Sequence, residues 1–150
     1  MLCIQRLRYV NLPPHMRIPS KESDYLYIKR SQIKGAGKGL FTAVDIFKDE
    51  VIAVFDGEII DDEEAFKRAE KGKDRYFVIL PDGKVMDSMP VECFAKYAND
   101  AAAYPNGVFR NNAKIYLDED DNPCLTATRK IKAGEEIFCG YGRAYWKKHG

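Results

Sequence analysis

Every apolar run in this chain is short, and a turn signal stands between most neighbouring runs. The stretches Tyr25 to Ile28, Leu40 to Ala43, Val51 to Phe55, Tyr76 to Leu80, Lys84 to Asp87, Ile115 to Leu117, Leu125 to Thr128 and Ile137-Phe138 are each of strand length. Between them stand Gly35-Ala36-Gly37-Lys38-Gly39, Asp56-Gly57, Pro81-Asp82-Gly83 and an acidic stretch from Asp118 to Pro123, of which Asp118 to Asp121 reads most simply as a solvated hairpin tip, or else attracts a basic tail. Short β-branched and aromatic runs bounded by Gly, Pro and Asp read as strands, and the Pro81-Asp82-Gly83 turn reads as a hairpin. A chain punctuated this way folds as mainly β with short helices, in several small sheets. One helix is signalled from Asp61. Asp61 and Glu64 form a D-x-x-E capping pattern, acids fill the first turn, and Lys67, Arg68 and Lys71 lie toward the end. Gly72 is its stop signal. A second short helix or loop is expected over about 91–98.

At 150 residues the chain is one domain by length. Residues 1–24, with Pro13-Pro14 and Pro19, read as an arm, residues 25–146 as the domain, and 147–150 as a tail. Net charge is +1, from 24 basic and 23 acidic residues, so no strong field toward nucleic acid or an acidic membrane is expected. No apolar run approaches a membrane span. Met1 to Tyr9 holds two arginines and is too polar for a secretion signal. The four cysteines, Cys3, Cys93, Cys124 and Cys139, lack the close pairing of a zinc site, so no metal is expected. Free thiols are their default state. The two histidines, His15 and His149, lie near the ends, which argues against a Ser-His-Asp or Cys-His engine.

Three segments can carry chemistry. Three glycines within 35–39 expose backbone to a ligand or form an ordinary turn. A dinucleotide loop would open a helix, but here the next residues read as strand. Asn99-Asp100 follows an apolar stretch and is either a cap or a buried polar pair that must be satisfied. Gly140-Tyr141-Gly142 follows a short strand, and its glycines let the backbone turn sharply to aim one hydroxyl.

In this order the segments resemble the SET domain, the fold of protein lysine methyltransferases. The matching pieces are Gly37-Lys38-Gly39-Leu40-Phe41, Asn99-Asp100-Ala101 with Asn112-Ala113, and Gly134-Glu135-Glu136-Ile137 with Tyr141-Gly142. Val54 to Ile60 and Val85 to Ser88 resemble intermediate strands of the family. The likeness covers roughly 25–146 and is similar to small stand-alone SET proteins, including those of large DNA viruses. Three departures accompany it. Asp100 stands where the family usually has histidine, 104–111 reads as an insertion, and no cysteine-rich segment follows. Tyr145 and Trp146, or the arm, would then close the substrate channel.

The resemblance implies a β-clip-like fold with a C-terminal pseudoknot. It implies S-adenosylmethionine as cofactor on one face and a target lysine entering from the other. It places Ala36, Gly37 and Lys38 at the cofactor through their backbone, and Tyr97, Asn99 and Asp100 along it. Trp146 would stack on the adenine or cover it, or else serve as a core or lid aromatic. Tyr141 would orient the amine and polarise the methyl group as the catalytic residue. Tyr76 and Tyr116 would wall the lysine channel, with core packing as the alternative. The implied partner is a lysine-bearing protein, a histone tail being the commonest family substrate, with no direct nucleic-acid or membrane contact. A homodimer follows by analogy with small relatives. Location would be nuclear if histone-directed, otherwise cytoplasmic. A catalytically weak peptide- or cofactor-binding module is the alternative that Asp100 leaves open.

Overall fold

The computed structural model describes residues 17–104 and 106–140. In chain order the elements are α1 (Glu22–Tyr25), β1 (Leu26–Arg30), β2 (Lys38–Thr42), β3 (Val51–Val54), β4 (Glu58–Ile60) and α2 (Asp62–Glu70). There follow β5 (Phe77–Ile79), β6 (Val85–Asp87), β7 (Ala113–Leu117), β8 (Pro123–Ala127) and β9 (Glu136–Ile137). Two 3-10 turns, Ala95–Tyr97 and Ala101–Ala103, lie between β6 and β7. The strands form three antiparallel three-stranded sheets, ordered β1-β2-β9, β3-β8-β7 and β4-β6-β5. The fold is mainly β with short helices, as the punctuation of the sequence predicts.

Each sheet is too small to be stable alone, so stability comes from burying their faces together. Leu40, Ile46, Ile52, Leu117, Leu125, Ile131 and Ile137 are fully buried and belong to one cluster. Burying an aliphatic side chain of this kind contributes about 1.5–3 kcal/mol. On the first sheet Tyr27 stacks on Phe41 with ring centroids 5.6 Å apart, and the Lys29 ammonium lies 4.4 Å from the Phe41 ring centre.

Helix α2 starts as its capping pattern predicts, with Asp61 Oδ1 accepting from Glu64 N–H at 2.9 Å. The Glu64 carboxylate does not return to the cap. It accepts from Arg68 Nε at 3.0 Å, and Arg68 also donates to Asp87 at 2.8 Å and Glu58 at 3.0 Å. These three carboxylates hold the Arg68 guanidinium firmly protonated and tie α2 to the sheet β4-β6-β5. Gly72, at φ +70°, ends the helix in the left-handed conformation that glycine adopts without strain.

Two local readings are corrected. Tyr25 closes α1 instead of opening a strand, and its buried hydroxyl donates to the Ile52 carbonyl at 2.7 Å. Asp118 is not a solvated hairpin tip. It is 2% exposed and accepts from Asp120 N–H, Asn122 N–H (both 2.9 Å) and Arg17 (2.8 Å). Burial raises its pKa, but these donors outweigh burial and hold the carboxyl below its usual range. Arg17 also bridges to Val51, so the last part of the expected arm is packed on the domain.

The chain closes through its last described residues. Phe138 forms a parallel bridge with Asn99, and Cys139 forms one with Ala113. Residues 138–139 therefore lie between the two ends of the segment 99–113, which is the pseudoknot arrangement.

Candidate active site

The glycine loop is shaped by a buried carboxylate. Ser31 N–H donates to the Gly37 carbonyl at 2.7 Å, closing the loop that joins β1 to β2. Ser31 Oγ donates to Glu136 at 2.7 Å and accepts from Ile33 N–H at 3.1 Å, while Gln32 N–H donates to Glu136 at 2.8 Å. Glu136 is 2% exposed, so its carboxylate is a fixed anchor inside the molecule. Gly35 and Gly37 have φ of +85° and +75°, and a β-carbon at either would meet nothing within 4 Å. Their role is conformational: the left-handed region costs other residues roughly 1–2 kcal/mol.

Asn99 joins this loop to the end of the chain. Its Nδ2 donates to the Lys38 carbonyl at 2.8 Å, and its own carbonyl accepts from Cys139 N–H at 2.9 Å. Asn112, 1% exposed, acts as a strand surrogate from the other side. It donates Nδ2 to the Glu136 carbonyl at 3.0 Å and accepts from Phe138 N–H at 2.8 Å. Two buried asparagines thus hold residues 136–139, and both satisfy their amides through backbone, as burial demands.

A cleft of about 190 Å³ opens beside the loop, lined by Gly37, Lys38, Arg75, Tyr76, Lys96, Tyr97 and Asn99. Three cations line it, and no carboxylate does among the described residues. The Tyr97 hydroxyl donates to the Glu92 carboxylate at 3.1 Å. Burial, with the Glu92 charge, raises the Tyr97 pKa, so the phenol stays neutral.

The cleft brings together Gly37, Lys38, Tyr97 and Asn99 of the sequence-predicted cofactor residues. Tyr76, placed by the resemblance in the lysine channel, lies on this same cleft. Ala36 is buried against Ile33, Ala101 and Phe138 beneath the loop. Asp100 accepts from Ala102 N–H at 2.9 Å, as an N-cap does, and from Asn111 Nδ2 at 2.8 Å. Ala36 and Asp100 are not among the described residues lining the cleft. Tyr116 is half-buried on β7 opposite Cys124 and is not among the described residues lining the cleft. Tyr141 and Trp146 lie outside the described residues. The chain leading to Tyr141 is anchored through Cys139, hydrogen-bonded to Asn99. Sequence reasoning missed Arg75 and Lys96 as cleft residues, and Ser31, Glu136 and Asn112 as the frame behind them. Lys96 carried one signal, a cation between Ala95 and Tyr97 in an otherwise apolar stretch.

Small packed sheets, a glycine loop with a cleft beside it, and residues 138–139 laced to Asn99 and Ala113 define a mainly β domain. Comparison with known proteins specifies it: a family model described as the SET domain matches residues 37–142. The chain belongs to the SET-domain family. It is 29% identical over 123 residues to histone-lysine N-methyltransferase EZH2 of Chaetomium thermophilum, covering 75% of this chain and 8% of that protein. It is 28% identical over 131 residues to human histone-lysine N-methyltransferase 2D, covering 85% of this chain and 2% of the relative. Among solved structures, "ctPRC2 in an autoinhibited conformation bound to S-adenosylmethionine" matches with a TM-score of 0.61 and 28% identity. That match covers 77% of this chain and 15% of the other. The chain spans only a small part of the length of the relatives it matches.

Proposed function

We propose that this chain is an S-adenosylmethionine-dependent protein-lysine N-methyltransferase, with histone lysine as its substrate and hence a nuclear place of action. The observation that carries the reading is the meeting of the glycine loop and Asn99 at one cleft, through the 2.8 Å bond from Asn99 to the Lys38 carbonyl. The residues present fit the cofactor. Gly37 leaves backbone open to a ligand, and the Tyr76 and Tyr97 rings lend the cleft an aromatic wall. Cations at Lys38 and Arg75 suit a carboxylate group.

When bound, S-adenosylmethionine supplies a methyl group on a sulfonium for in-line displacement by an amine. The chain's residues have to hold and aim. Gly37, Lys38 and Asn99 would hold the cofactor, with Tyr76 and Tyr97 excluding water from one side. Tyr141, in the Gly140-Tyr141-Gly142 sequence, would orient the attacking amine by its hydroxyl. No general base is required of the protein, because a desolvated channel beside a cation lowers the lysine pKa from its usual value of about 10.4. The relatives' names, histone-lysine N-methyltransferases, support the substrate class.

The test is transfer of radiolabelled methyl to a histone panel, with Tyr141→Phe and Asn99→Ala beside the parent. Label on lysine that falls by at least about 100-fold in Tyr141→Phe supports the reading, as expected for loss of an aiming group. Cofactor binding without label on any substrate would leave a binding module, and absence of cofactor binding by calorimetry would sink the assignment.

A further inference from the structure

The wall of the cleft opposite the glycine loop is built around a buried lysine. Lys96 is 3% exposed, and its ammonium lies 5.6 Å from the Tyr76 ring centre and 5.3 Å from that of Tyr97. An ammonium carries three hydrogens. Three acceptors surround this one: the Val91 carbonyl at 2.8 Å, Glu92 Oε1 at 3.1 Å and the Ser88 carbonyl at 3.3 Å. Every donor is therefore directed into the protein, and none is left for a ligand in the cleft. A buried ammonium is tolerated only when so satisfied, and two backbone carbonyls together with the Glu92 carboxylate fix its position.

The rings on either side gain from that fixed charge. A desolvated cation over a tyrosine face is attracted by the negative face of the ring. Glu92 completes the arrangement, because the same carboxylate takes both the Lys96 ammonium and the Tyr97 hydroxyl. The Glu92 side chain itself is exposed, while Lys96 is not.

We propose that Lys96 is a positioning residue: without touching the cofactor, it fixes the Tyr76 and Tyr97 rings as the aromatic wall that receives it. The inference rests on the cofactor reading above. It assigns Lys96 to the affinity of the site and not to the chemical step. Lys38 and Arg75 are the other cations lining the cleft, the Arg75 guanidinium lying 5.3 Å from the Tyr76 ring centre.

The experiment compares Lys96→Met, which keeps the stem without the charge, with Lys96→Arg and Glu92→Gln. S-adenosylmethionine binding is read by calorimetry, and the tyrosine rings are read by NMR of 13C-tyrosine protein. We expect Lys96→Met to weaken binding about tenfold, the equivalent of roughly 1.4 kcal/mol. Its KM for the cofactor rises while kcat at saturation stays within about twofold, the pattern of an interaction made equally in ground and transition states. Lys96→Arg, which keeps the charge, recovers most of the affinity. The Tyr76 and Tyr97 ring signals shift and broaden in Lys96→Met, while those of Tyr25 and Tyr116 do not. Unchanged affinity, unchanged ring signals, or an equal fall in kcat would overturn the proposal. If Lys96→Met fails to fold, Glu92→Gln decides. Affinity should fall about two- to threefold there at unchanged melting temperature, and no fall would overturn the assignment. Wild-type protein that binds no cofactor counts against the functional reading alone, because the ring signals still test the clamp.

Discussion

The carboxylate of Glu136 occupies the space that a side chain on residue 39 would need, which is why β2 carries a glycine there. A β-carbon on Gly39 would collide with Glu136 Oε2 and come within 3.2 Å of the Ser31 Cα. Glu136 is held by Ser31 and Gln32 and has little room to yield. Gly39→Ala should therefore cost about 1–3 kcal/mol, the usual penalty of overpacking, and should weaken cofactor binding by disturbing the loop. Gly35→Ala, in open space at φ +85°, should cost only the backbone strain of about 1–2 kcal/mol. Urea titration measures the stabilities and calorimetry the binding. Unaltered binding in Gly39→Ala would refute the account of the loop's frame.

Asp100 stands where the family usually has histidine, and its work in this structure is that of an acceptor. One oxygen, Oδ1, takes both the Ala102 N–H and the Asn111 amide. Asp100→Asn keeps an oxygen in that position and should alter stability by less than about 1 kcal/mol. Asp100→Ala strands both donors and should cost about 1–3 kcal/mol. Thermal melts of the two variants separate these outcomes, and equal losses would show that the charge, not the acceptor geometry, matters.

Helix α1 supplies a pH-dependent term. Burial raises the Glu22 pKa above its ordinary 4.5, and the Val54 N–H bond only partly opposes this. The folded protein therefore holds this proton more tightly than the unfolded chain. The contribution of Glu22 to stability is most favourable below pH 4.5 and declines as pH rises through the folded pKa. Glu22→Gln should raise the melting temperature at pH 7, with the difference shrinking toward zero as the pH approaches 4. A constant difference across that range would exclude the carboxyl as its source.

The described cysteines differ in burial, and with it in expected reactivity. Burial, reinforced by the Asp118 charge, pushes the Cys124 thiol up to about 12. At pH 8 its thiolate fraction is then about one in ten thousand, and the thiolate is the reactive form. Cys124 and Cys139 are both fully buried, while Cys93 is half-buried. Iodoacetamide on the native protein should label Cys93 and spare Cys124 and Cys139 until denaturant is added, as peptide mass spectrometry would show.

Local signals were legible in the sequence wherever a few neighbouring residues decide the outcome. The Pro81-Asp82-Gly83 turn joins β5 to β6, and the acidic turn joins β7 to β8, because turn geometry and strand alternation act over a handful of residues. Asp61 caps α2 for the same reason. The residues that were misjudged depend on partners far along the chain. Asp118 reads as solvated until Arg17, 101 residues earlier, is brought beside it. The frame of Ser31 and Glu136 spans 105 residues. Tyr76, which the resemblance places in the lysine channel, reaches the cleft beside Tyr97 through contacts with Lys96 that no local motif signals. Gly37, Lys38 and Asn99 were legible as a set because their types and order matched a known pattern.

The lacing of residues 136–139 between Asn99 and Asn112 has a consequence for the making of the protein. Asn112 offers its amide to the Glu136 carbonyl and Phe138 N–H, and Asn99 offers its carbonyl to Cys139 N–H. Glu136 also completes the frame around the glycine loop. A nascent chain ending before residue 136 has none of these partners, so its glycine loop lacks the Glu136 anchor, Asn112 lacks its side-chain mates and Asn99 keeps only the Lys38 carbonyl. The frame of the glycine loop is thus completed only when the stretch just ahead of Tyr141 docks. Closure of the cleft's floor and delivery of the tyrosine proposed to use it are coupled in folding.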